Sequence, residues 1–224
     1  MKNKLRILIV VIAAALAAVL STGQMALAST QPDEITSKMI ELGIATEDQV
    51  TIIQNLENGI MPLSDTPNSI PVSSSTTIVS GFQNEKQKFS DGSIRIISKE
   101  LPKNPLLRST GLNACSVSSG TGYVNYVNCT VYNDTPLVTM GFIANFTLVQ
   151  GGYNDYISNA VNPIATCRLG ACSNIKAWVG KAQETTSGKA WAKMTADYIL
   201  YGGAASTSYS LVLYVGANTY QLVG

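Results

Sequence analysis

TPLVTMGFIANFTLV, residues Thr135 to Val149, decides the fold of this chain. Val138, Met140, Phe142, Ala144, Phe146 and Leu148 alternate with Thr139, Gly141, Ile143, Asn145 and Thr147. A period of two sends alternate side chains to opposite faces of a strand, so one face is apolar throughout and the other is mixed. A strand this long needs neighbours on both edges and a second layer over its apolar face.

The same period recurs downstream. Ala190, Ala192, Met194, Ala196, Tyr198 and Leu200 alternate with Trp191, Lys193, Thr195 and Asp197. After the break at Gly202-Gly203, Tyr209, Leu211, Leu213 and Val215 alternate again, and Asn218 to Val223 adds an edge. Upstream, Ala114–Ser118 and Tyr123–Tyr132 form a hairpin, and Asn133-Asp134-Thr135-Pro136 turns into the central strand. Gly151 to Ser173 reads as a long irregular stretch, and Ile175 to Gln183 as extended. The fold class expected is mainly β, an antiparallel β-sandwich over residues 110–224, with an open or irregular barrel as the alternative.

The N-terminal part is different. MKNKLRILIVVIAAALAAVLSTGQMALA joins a basic start (Lys2, Lys4, Arg6), an apolar run and the small-x-small site Ala26-Leu27-Ala28. That is the layout of a signal peptide over residues 1–28, cleaved after Ala28. The mature chain is then expected to be secreted, slightly acidic and without stable membrane insertion. Residues 29–60 read as a short two-helix segment. Pro32 lies near its first turn and Gly43 stops the first helix. A capping box at Thr46 and Gln49 starts the second, whose face is Val50, Ile53 and Leu56, with Gly59 as its C-cap. Helices this short cannot hold a core alone; they pack on something, form a pro-segment or serve for docking. Residues 61–77, rich in Pro, Ser and Thr, read as a linker. Residues 78–109 read as a hairpin around Asp91-Gly92, at a surface or sheet edge, followed by a second linker.

Cys115, Cys129, Cys167 and Cys172 are an even set in an exported chain, which points to two disulfides. Of three connectivities the local one is favoured, Cys115 with Cys129 and Cys167 with Cys172, with Gly170 supplying the bend of the second loop. Zinc is disfavoured by the spacing and by the absence of histidine.

LGIATEDQVTIIQNLENGIMPLSD, then Ile78 to Phe82, Phe89-Ser90-Asp91-Gly92-Ser93 and Gly120-Thr121-Gly122-Tyr123, resemble uncharacterised secreted proteins of Gram-positive bacteria, mostly actinobacteria. Those combine a short helical leader, a YPDGS-like hairpin and a C-terminal disulfide-bonded β-domain. The resemblance implies export and architecture and carries no catalytic residue. Phe89 stands where the motif has Tyr, which bears on packing only.

The chain has no histidine, so Ser-His-Asp and Cys-His catalysis are excluded. After Thr110 the only acids are Asp134, Asp155, Glu184 and Asp197, and no basic run suggests nucleic acid. No cofactor or metal is implied. Tyrosines and asparagines crowd residues 123–156, and both types make adaptable contacts to sugars and proteins. Tyr153, Asn154, Asp155 and Tyr156 are the candidate binding loop. Trp178 and Trp191 read first as cross-strand packing. The leading expectation is a secreted, non-catalytic β-domain that binds a cell-envelope glycan or a protein partner. A carboxylate-dependent secreted hydrolase is the second reading, and an antagonistic toxin or its accessory subunit the third.

Overall fold

A computed structural model of the chain describes residues 31–101 and 115–224. The signal segment with its cleavage site and the boundary expected at Pro102–Ser109 lie outside them. Two antiparallel sheets face each other as a β-sandwich. The larger is seven-stranded, in the order β1 (Ser73–Val79), β2 (Phe82–Lys88), β3 (Ile94–Glu100), β5 (Tyr123–Asp134), β6 (Val138–Val149), β7 (Tyr156–Cys167), with β4 (Ser116–Gly120) also on β5. The smaller runs β11 (Thr219–Val223), β10 (Ser206–Gly216), β9 (Ala190–Leu200), β8 (Gly170–Lys181).

β6 behaves as its alternation dictates. Val138, Met140, Phe142, Ala144 and Phe146 are buried, and β5 and β7 flank it. Across the core lie the matching faces of β9 and β10, including Ala192, Met194, Leu211 and Leu213. The small alanines of β9 leave room for Tyr198 and Tyr209, which meet edge to face with ring centres 6.0 Å apart. Tyr126 turns inward as well, stacked on Phe146 at 4.5 Å and set edge-on to Tyr220. Burial pushes the Tyr220 hydroxyl up to about 12.

The stretch expected to be irregular is mostly β7 and the start of β8; only residues 150–155 form the loop. β7 hid because two register shifts break its alternation and Pro163 sits inside it, both tolerated on an edge strand. Both disulfides have the local connectivity, and Cys167–Cys172 ties β7 of one sheet to β8 of the other. The bend between them belongs to Leu169 (φ 52°) rather than Gly170. Gly170 is needed for another reason: a Cβ there would meet the Tyr198 ring and the Ile199 carbonyl.

Helices α1 (Gln31–Leu42) and α2 (Thr46–Glu57) are part of the domain. Ile35, Met39, Leu42, Ile44, Ile52 and Leu56 join the common core, Lys38 pairs with Asp134 at 2.5 Å, and Glu34 lies 3.9 Å from Arg168. Both helices end on a left-handed glycine: Ile44 N–H bonds Met39 O, and Ile60 N–H bonds Asn55 O, each at 2.9 Å. The capping box does not form. Ala45 is the N-cap of α2, and Gln49 turns inward to donate to Ile44 O at 2.7 Å. The buried face is Gln49, Ile52 and Leu56, while Val50 is exposed.

The linker expected at 61–77 is instead built into the domain. Residues 73–77 are strand, and a 3-10 turn at Leu63–Asp65 buries Ser64 and Asp65. Asp65 Oδ1 accepts hydrogen bonds from Thr135 Oγ1 (2.5 Å) and Tyr209 Oη (2.8 Å), one from each half of the sandwich. Burial raises its carboxyl to about 6, against those two bonds, one from Ser64 and the field of Arg95, all of which lower it. The Asp91-Gly92 hairpin forms as expected, but only its first arm lies towards the edge. β3 is largely buried and pairs with β5, so residues 78–100 share a sheet with the C-terminal part.

Candidate functional site

The mixed face of β6 is the outer face of the seven-stranded sheet. Register sets its rows across β5, β6 and β7. Tyr132, Gly141 and Ile164 form one row, and Thr130, Ile143 and Val161 the next. Asn145 then lies beside Asn159, and Asn125, Thr147 and Tyr156 follow, with Thr147 buried and donating to Asn125 Oδ1 at 2.7 Å. None of these side chains is charged. Around Gly141 the face sinks into a groove of about 430 Å³, lined among others by Thr130, Tyr132, Thr139, Ile143, Asn162 and Ile164. The groove exists because Gly141 has no side chain and because the Tyr132 ring leans to Phe82, ring centres 5.5 Å apart. Ile164 stands 64% exposed at its wall. Hydroxyls and amides around an aromatic and aliphatic floor suit a ligand with both C–H faces and hydroxyl groups.

The four residues expected as a binding loop separate into two roles. Tyr153, Asn154 and Tyr156 are exposed, and Tyr156 belongs to the outer-face rows just described. Asp155 is fully buried and cannot touch a ligand. Its Oδ1 accepts Val149 N–H at 2.6 Å, its Oδ2 accepts Asn218 N–H at 2.8 Å, and its carbonyl accepts Glu184 N–H at 2.8 Å. Glu184, also buried, accepts Ala217 N–H at 2.9 Å. The two acids thus hold successive amides of the turn between β10 and β11, where Ala217 and Asn218 both have positive φ. Both Asp155 oxygens and Glu184 Oε1 are committed to backbone amides, and Glu184 Oε2 is buried without a hydrogen-bond partner among the described residues. Neither acid meets a substrate at the surface, which weighs against the hydrolase reading. Asp197 lies apart, half-buried on β9, with hydrogen bonds from Ser208 and Asn174 lowering its pKa.

The tryptophans stand on the outer face of the smaller sheet. Trp191 lies flat over Gly180, where a Cβ would collide with its ring, and Lys176 Nζ sits 5.5 Å from the centre of Trp178. The groove residues Thr130, Gly141, Ile143, Asn162 and Ile164 were not among the candidates. Their one trace in the sequence is the mixed face of the central strand, which carries an Ile and a Gly between hydroxyl and amide side chains.

Comparisons with protein-family models, curated proteins and solved structures gave no match to this chain. Among the described residues no helix is long and apolar enough to cross a membrane.

Proposed function

We propose that this is a secreted, non-catalytic binding domain that holds a neutral glycan chain of the cell envelope across the outer face of its larger sheet. The observation that carries the reading is the uncharged run of Tyr, Asn, Thr and Ile rows from Tyr132 to Tyr156, with the groove at Gly141 in it. Sugar rings offer C–H faces to tyrosines and aliphatic walls, and hydroxyls to Asn and Thr. A chain of several sugars matches a linear run of rows better than a single deep pocket. Export with cleavage after Ala28, the two disulfides and the resemblance to secreted Gram-positive proteins agree with an extracellular ligand.

The test is retention on immobilised neutral envelope polysaccharide, followed by calorimetry with its oligosaccharides. Tyr132→Ala and Tyr156→Ala should each weaken binding about tenfold, near 1.4 kcal/mol, with the unfolding temperature almost unchanged. High salt should have little effect, because the rows from Tyr132 to Tyr156 carry no charge. The charged residues beside Thr139 (Asp134 and Arg168) are buried, with Asp134 paired to Lys38. Retention that survives both substitutions, or that follows envelope protein after the polysaccharide is removed, would replace this reading with a protein partner.

A further inference from the structure

We infer that β1 is a dimerisation edge: two copies pair antiparallel through Ser73–Val79 about a two-fold axis at Ser75. The first ground is how the other edges are protected. β7 carries Pro163 and two register shifts, and its start is bridged to Gln183 near the opposite sheet. β8 has two register shifts and the charges of Lys176 and Lys181. β4 and β11 are only five residues long. Such devices keep sheets from pairing with other chains. β1 has none of them. It is seven residues of SSSTTIV without charge or proline, in unbroken register with β2, and every residue is exposed. Among the described residues it pairs with β2 alone.

The second ground is self-complementarity. The exposed apolar side chains lie at the two ends of this edge, Val72 (64%) before it and Ile78 (68%) near its end, with Ser and Thr between. An antiparallel pair centred on Ser75 sets residue 72 opposite residue 78 of the second copy, on one face, twice. Pro71 meets Val79 on the other face. Both exposed aliphatics are then covered, no like charges meet across the axis, and the small hydroxyl side chains let the strands approach. Because the axis is perpendicular to the sheet, both outer faces point the same way, and a ligand surface on one copy is repeated beside the other.

A single pair of seven-residue strands buries little surface, so association depends on concentration. Sedimentation of the purified protein through the micromolar range should show a monomer–dimer equilibrium. Val72→Lys or Ile78→Asp alone should weaken it at least about tenfold, and the double variant should restore it, since the new charges face each other in this register. Ser75→Cys should cross-link to itself under mild oxidation, while Ser80→Cys in the turn should not. All four positions are exposed, on β1, just before it or in its turn, so unfolding temperatures verify that each variant is folded. A protein that stays monomeric throughout, a dimer indifferent to the single variants, or a double variant that fails to recover would each overturn the inference. None of these readings involves glycan, so they stand or fall apart from the proposed function.

Discussion

The two outer faces of the sandwich use glycine and aromatic side chains in opposite ways. On the smaller sheet, Gly180 is the seat of the Trp191 ring, and Trp178 lies beside Lys176. That face satisfies itself. On the larger sheet, a Cβ on Gly141 would collide with the Tyr132 Cβ and the Val131 carbonyl, each at 2.8 Å, so this glycine serves a close approach of β5 to β6, and the groove opens beside it. A glycine in a strand therefore has no single meaning. Under a neighbour's ring it is a packing device, and against a neighbouring strand's backbone it also leaves a depression that a ligand can enter.

The strongest way to test that contrast is to remove the seat. Gly180→Ala places a methyl group against the Trp191 ring and displaces it from β8. We expect a loss of about 3 kcal/mol in urea unfolding, the upper part of the overpacking range, with glycan retention unchanged. A loss under about 0.5 kcal/mol would mean that the ring moves freely. The smaller face would then be as adaptable as the larger one.

Next in size is a pH effect from the layer between the faces. Asp65 holds Thr135 at one sheet and Tyr209 of the other, and its carboxyl is raised from 3.8 to about 6. The folded state therefore binds this proton more tightly than the unfolded state. The contribution is fully present below about pH 4 and is lost as pH rises through about 6, amounting to about 3 kcal/mol. Other carboxylates change over the same window, so the measurement is the difference between the wild type and Asp65→Asn. Unfolding free energies at pH 4 and pH 7 should show the wild type losing more on the rise by about that amount. Parallel curves would show that the carboxylate is held as well ionised as neutral, and would uncouple the two sheets from this residue.

How much of this was legible depends on how each residue acts. The alternation of β6, β9 and β10 is a local pattern with one period, so their buried faces could be read directly. The disulfide pairing was legible because its loops are short. Asp65 was not, since a Pro-, Ser- and Thr-rich run looks solvated unless one knows that Thr135 and Tyr209, 70 and 144 residues away, are aimed at it. Asp155 misled in the opposite direction. An acid beside tyrosines and glycines reads as a contact residue, and only the fold shows its oxygens on Val149 and Asn218 N–H groups. The groove is a property of three strands in register, and no single segment carries it.

The smallest expected effect discriminates most sharply between the faces. Trp178 is half-buried, opposite Lys193 in register and near Lys176 Nζ. An exposed cation–aromatic contact of this kind contributes about 0.5–1 kcal/mol, so Trp178→Ala should cost about 1 kcal/mol of stability once some lost packing is added. If the face is self-satisfied, polysaccharide retention should not change. Tyr132→Ala on the other face should give the reverse pattern, a small stability change with a clear loss of retention. The pair of variants is therefore read together in one affinity gel. Retention lost with Trp178→Ala and kept with Tyr132→Ala would move the ligand to the smaller sheet. There the neighbouring lysines would favour an anionic chain, and retention would then fall steeply with salt.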